Sequence, residues 1–119
     1  MESKLLNALA EKGCGVETML HDTFMDMEGF YENMVRKLPE STALARLRAA
    51  FEAGDVEAAF DAAHELKGLY ATLGLTPASE RCGAIVEILR PRAGFGDIAA
   101  ILPELERVHA GLLAVIAAN

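Results

Sequence analysis

Between Asp55 and Leu73 the apolar residues Val56, Ala59, Phe60, Ala63, Leu66, Tyr70 and Leu73 fall at helical spacings. At about 100° per residue they form one broad stripe, which commits the segment to an amphipathic helix with a single buried face. The punctuation agrees: Gly54 closes the element before it, Asp55 is a good N-cap residue, and Gly74 ends it.

The same reading extends along the chain. Thr42 to Ala53 carries Leu44, Leu47 and Phe51 on one face. Thr76-Pro77 starts a helix that runs to about Arg90 with Ala78, Cys82, Ile85 and Leu89 inward, Thr76 serving as its cap. Asp97 to Ala117 carries Ile98, Ile101, Leu102, Leu105, Val108, Leu112 and Ile116, and Pro103 inside it is expected to kink or divide the helix. Asp26 to Leu38 has a stripe of Met27, Phe30, Tyr31, Met34 and Leu38, preceded by short helical pieces at Glu2 to Lys12 and Val16 to Thr23. The connections are only a few residues long. The expected fold is all-α, an antiparallel up-down four-helix bundle with short extra N-terminal helical elements, forming a single domain over residues 1–119.

Composition narrows the function. Aromatic residues are only 6% and Trp is absent, which favours helices over a β-sandwich. A chain of 119 residues buries roughly two-thirds of its unfolded surface, enough to fold without metal or disulfide staples. Cys14 and Cys82 are therefore read as reduced thiols. A net charge of −7 repels phosphate backbones and excludes nucleic-acid binding as the main task. No signal peptide is evident, and the uncharged stretch from Val108 to Asn119 spans about 18 Å as a helix, short of a bilayer core of about 30 Å. A cytoplasmic protein with no membrane partner is expected. There is no Walker A sequence, Gly-rich phosphate loop or G-x-S-x-G.

The residues that can carry chemistry sit on the central helix. His64 lies about 140° around the wheel from the centre of the apolar stripe, so it should face solvent. Lys67 and Gly68 follow at i+3 and i+4 and neighbour the imidazole. A glycine inside a helix costs up to about 1 kcal/mol relative to alanine, but beside an exposed His it clears room around the ring. An imidazole near neutral at pH 7 is a competent nucleophile, and a Lys one turn on supplies a positive charge for an anion. Together they describe a His that accepts a phosphoryl group.

The stretch His64-Glu65-Leu66-Lys67-Gly68, continued by Ala71, Leu73 and Gly74, resembles the signature of histidine-containing phosphotransfer (HPt) domains, the four-helix-bundle intermediates of two-component phosphorelays. The similarity extends upstream to Gly54-Asp55 and Ala62-Ala63, and downstream to Leu75, Cys82, Ile85 and Arg90. The resemblance implies that His64 is phosphorylated through Nε2, that Lys67 stabilises the phosphoryl group, and that Gly68 admits the partner. It implies partners that are response-regulator receiver domains and a hybrid sensor histidine kinase. Leu69 and Ala71 are candidates for the docking surface, and Arg81 and Arg90 for steadying the transferring group. The chain is expected to act as a monomeric phosphocarrier rather than an enzyme, with no ATP site and no cofactor of its own; Mg²⁺ is expected on the receiver. Two positions depart from the family pattern. Leu69 and Tyr70 stand where many members have Ser. Val86 stands near where many place a polar residue that orients the imidazole, a task left to Glu87 or Arg90.

Other readings rest on less. A helical adaptor that binds receivers without His chemistry would draw support from Val86 and a bulky Tyr70 beside the site. A metal-binding bundle would use Glu106 and His109 (Glu-x-x-His) or Glu17 and His21, but a di-iron site needs two such motifs and two more Glu. No metal is expected, and His21 and His109 are expected at the surface or at helix edges.

Overall fold

The computed structural model describes residues 1–119 and contains seven α-helices and no strand. They are α1 (Lys4–Glu11), α2 (Val16–Asp22), α3 (Glu28–Val35), α4 (Ala43–Ala53), α5 (Val56–Thr72), α6 (Thr76–Leu89) and α7 (Ile98–Ala118), with a 3-10 turn at Leu38–Glu40. Helices α4 to α7 form the bundle, each packing on the next in sequence. The short links between them make neighbours antiparallel. The remaining side of the bundle is closed by an ion pair between Arg48 on α4 and Glu106 on α7, and by an edge-on contact of Phe51 with Phe95 at 5.3 Å between ring centres.

The central helix α5 is fixed at both ends. The Asp55 carboxylate accepts the Ala58 N–H at 3.0 Å. At the other end Leu75 N–H bonds the Tyr70 carbonyl and Gly74 N–H bonds the Ala71 carbonyl, a Schellman closure. Gly74 has φ +70, and a Cβ there would lie 2.7 Å from the Tyr31 hydroxyl, so only glycine fits. The Tyr31 hydroxyl donates to the Leu73 carbonyl at 2.6 Å, and its ring stacks on Phe24. In this way α3 is tied to the end of α5. Helices α1 and α2 cover the bundle as well: Leu5, Leu6, Leu9 and Val16 are fully buried, α1 lying against α7.

Three expectations need correction. The stripe of the Asp26–Leu38 segment is turned: Tyr31, Val35 and Leu38 are buried, while Met27 and Phe30 are each 53% exposed. The helix there is also shorter, because Met25 and Asp26 adopt left-handed backbone just before it. Pro103 does not divide the last helix; α7 runs through it unbroken for 21 residues. Pro103 is the sixth residue of α7, so the helix loses one bond, to Ala99, and most of its length is untouched. Thr76 does not cap α6. Leu75 takes that position, and the Thr76 hydroxyl accepts the Gly15 N–H at 3.0 Å, fastening α6 to the α1–α2 link.

Candidate functional site

His64 occupies the middle of α5, on the face opposite Ala59, Ala63, Leu66 and Tyr70, and is exposed. Burial of those four side chains fixes the rotation of the helix, and that rotation presents the imidazole. Its ring nitrogens make no hydrogen bond within the chain. Its contact is with Phe60, one turn earlier: the rings lie 5.7 Å apart between centres and 20° from parallel.

Lys67 is half-buried and lies across α6, where an added Cβ on Gly83 would stand 3.6 Å from the Lys67 Cε. Gly68 is exposed, and a Cβ built there meets nothing within 4 Å. No packing of the chain on itself requires this glycine, so the cleared space faces outward.

At the end of α6, Arg90 holds Glu87 through its Nε and Nη2 atoms, the shortest bond being 2.9 Å. That bond, joined by the charges of Arg90 and Lys67, holds the Glu87 carboxyl below its ordinary range. The Arg90 guanidinium stands 5.8 Å from the centre of the Phe60 ring and that of Arg92 only 3.5 Å. Glu57 lies 3.6 Å from Arg92. Glu65, next to His64, is paired with Arg46 of α4. The rim of His64 is thus a set of paired charges, with Lys67 as the cation that carries no carboxylate partner within ion-pair distance.

The site residues expected from sequence fall into two groups. His64, Lys67, Gly68 and Arg90 come together on the α5–α6 face. Leu69 is half-buried against the core, and Ala71 is exposed beside a shallow hollow shared with Gly74 and Thr76. Arg81 points elsewhere: it donates to the Pro77 carbonyl at 3.0 Å and lines a groove of about 600 Å³ between α1 and α7. Neither Glu87 nor Arg90 reaches the imidazole, and Val86 is fully buried.

Tyr70 does not crowd the site. It is fully buried, and its hydroxyl lies 2.7 Å from Nδ1 of His109. His109 is therefore a core residue, 8% exposed, and not a surface one. With Glu106 held by Arg48 and His109 held by Tyr70, the Glu-x-x-His pair is committed to the fold. His21 lies at the surface, 3.5 Å from Asp26. Cys14 and Cys82 are free and buried, and burial pushes the Cys82 thiol up to about 12, which makes it inert.

Phe60 and Arg92 are at the site without having been singled out from the sequence. Phe60 was legible in principle, since helical side chains lean toward the N-terminus and a residue at i−4 lies under the ring of His64. Arg92 follows Pro91 beyond the end of α6, where no periodicity applies.

No helix of the chain is long and apolar enough to cross a membrane. Among known proteins, neither the curated sequences nor the solved structures give a match. The sequence model of one family, described as the Hpt domain, matches residues 29–118.

Proposed function

Because the chain belongs to the Hpt domain family, we propose that its His64 carries a phosphoryl group between receiver domains of a two-component phosphorelay. Domains of this family are phosphocarrier modules of two-component systems and interact with receiver domains and kinases. For this chain the reading rests on one observation: an exposed imidazole stands beside a helical glycine whose missing side chain leaves open space.

In the forward step the Nε2 lone pair attacks the phosphorus of a receiver aspartyl phosphate. The P–N bond forms as the P–O bond to the aspartate breaks, and the carboxylate stays on the receiver. The imidazole proton remains on Nδ1. Transfer to a second receiver is the same step reversed. Lys67 offsets the charge on the phosphoryl oxygens, with Arg90 at the end of α6 as a second cation. The receiver supplies the Mg²⁺, and its docking surface spans Gly68, Leu69 and Ala71.

The adaptor alternative loses one of its two supports, since Tyr70 lies in the core. Incubation with a phosphorylated receiver separates the readings. The expected result is an acid-labile, base-stable label on the chain that disappears in His64→Gln. No label from any receiver, or equal labelling of His64→Gln, overturns the assignment.

A further inference from the structure

We propose that Phe60 and Arg92 are the positioning residues of this site, an inference that rests on the phosphotransfer reading. In-line transfer needs the attacking nitrogen held in place, because small displacements slow such reactions steeply. An exposed histidine on a helix is free to change rotamer unless something holds it. At His64 nothing on α6 does so by hydrogen bonding: Val86 is buried and apolar, and Glu87 and Arg90 bond each other.

The hold comes from α5 itself. The His64 ring leans back onto Phe60 in an offset, near-parallel stack. Phe60 is a firm platform, since it is only 7% exposed and part of the core. The same ring carries the Arg92 guanidinium at 3.5 Å, close enough for a strong cation–π contact. Arg92 is held in turn by Glu57 and by its own donation to the Arg90 carbonyl at 2.7 Å. Its backbone sits at φ 55, a left-handed conformation that a residue with a side chain rarely adopts. Local strain is thus maintained at the residue that pins the ring, as is common near functional sites. The arrangement Glu57–Arg92–Phe60–His64 fixes the plane of the imidazole and uses neither ring nitrogen. One remains for the phosphoryl group and the other for the proton.

The test uses the full chain as wild type and as Phe60→Leu, Phe60→Tyr and Arg92→Gln. Proton NMR reads the carbon-bound ring hydrogens of His64, which a stacked Phe shifts upfield. Single-turnover transfer is measured from a phosphorylated receiver and from phosphoramidate, whose P–N bond breaks with release of ammonia as the new P–N bond forms. Phe60→Leu is expected to return the His64 ring signals to unstacked positions and slow transfer from both donors by about tenfold to a hundredfold. Phe60→Tyr keeps the ring and restores both. Arg92→Gln weakens the shift and the rate in the same direction, and since Arg92 is exposed it carries the test should Phe60→Leu fail to fold. Unchanged ring shifts in Phe60→Leu and Arg92→Gln, or altered shifts with wild-type transfer rates, overturn the inference. A wild-type chain that takes no phosphoryl group from either donor sinks the phosphotransfer reading instead, and the ring shifts then decide the stack by themselves.

Discussion

Gly68 weakens its own helix and gains nothing from its neighbours. Nothing in the chain comes within 4 Å of where its Cβ would be. Alanine there should therefore stabilise the protein by about 0.5–1 kcal/mol, as at any exposed helical glycine. If the space serves an approaching receiver, activity moves the other way: Gly68→Gln should slow transfer from a phosphorylated receiver at least tenfold while the fold is kept. Thermal melts and single-turnover transfer measure the two effects. A stabilised Gly68→Ala together with a Gly68→Gln that transfers at the wild-type rate removes Gly68 from the docking surface. That His64, Lys67 and Gly68 lie together on one side of α5 was legible in the sequence. They share one helix, and its apolar stripe fixes which way they face. Phe60 was counted only as core, because a stripe says which side is buried and not which buried ring touches the rim. Arg92 was illegible because its position depends on a left-handed residue after a proline.

Between elements, the contact that sequence periodicity least prepares for is the bond from Tyr70 on α5 to His109 on α7. The helices α4, α5 and α6 were readable because their apolar residues form single stripes between clear stops. A histidine near the stripe of α7 reads as its edge unless a partner across the interface is known. Burial of the pair has a consequence for pH. Desolvation holds His109 below its ordinary value of 6.5, while the Tyr70 hydroxyl is pushed up and stays protonated. The unfolded chain then binds a proton at His109 before the folded one does. Stability from this group is present above the unfolded value and falls as pH drops through about 6.5 toward the lower folded value, by at most about 1.4 kcal/mol per pH unit. Glu106, held low by its bond to Arg48, loses its contribution only in more acidic solution, below the ordinary carboxylate value of 4.5. Urea unfolding between about pH 7.5 and 5.5 should therefore show a slope that the double variant Tyr70→Phe/His109→Leu reduces. Replacing both partners avoids leaving either polar group buried and unpaired. An equal slope in the double variant means that His109 does not titrate on unfolding.

At the scale of the molecule, the family match and the core do not end at the same place. The match begins at residue 29, yet Leu5, Leu6, Leu9, Val16, Leu20 and Phe24 belong to the same continuous core as α4 to α7. The bundle pattern made the four long helices legible and led to the expectation that the short N-terminal pieces cap one end. They do more. Helix α1 lies along α7, the Gly15 N–H bonds Thr76 of α6, and Phe24 stacks on Tyr31, which bonds the end of α5. Each buried side chain of this kind stabilises by about 1.5–3 kcal/mol. Removing them also uncovers the apolar surface of α7 and of Tyr31 against which they pack. Deletion of residues 1–28 should therefore lower the melting temperature by about 10 °C or more, or abolish cooperative unfolding, even though the matched segment and His64 are intact. Calorimetry on the full and shortened chains measures this. Transfer to His64 in the shortened chain should fall in step with the fraction folded. A shortened chain that melts with the full chain shows that the matched segment folds by itself and that α1 and α2 are attached to it without supporting it.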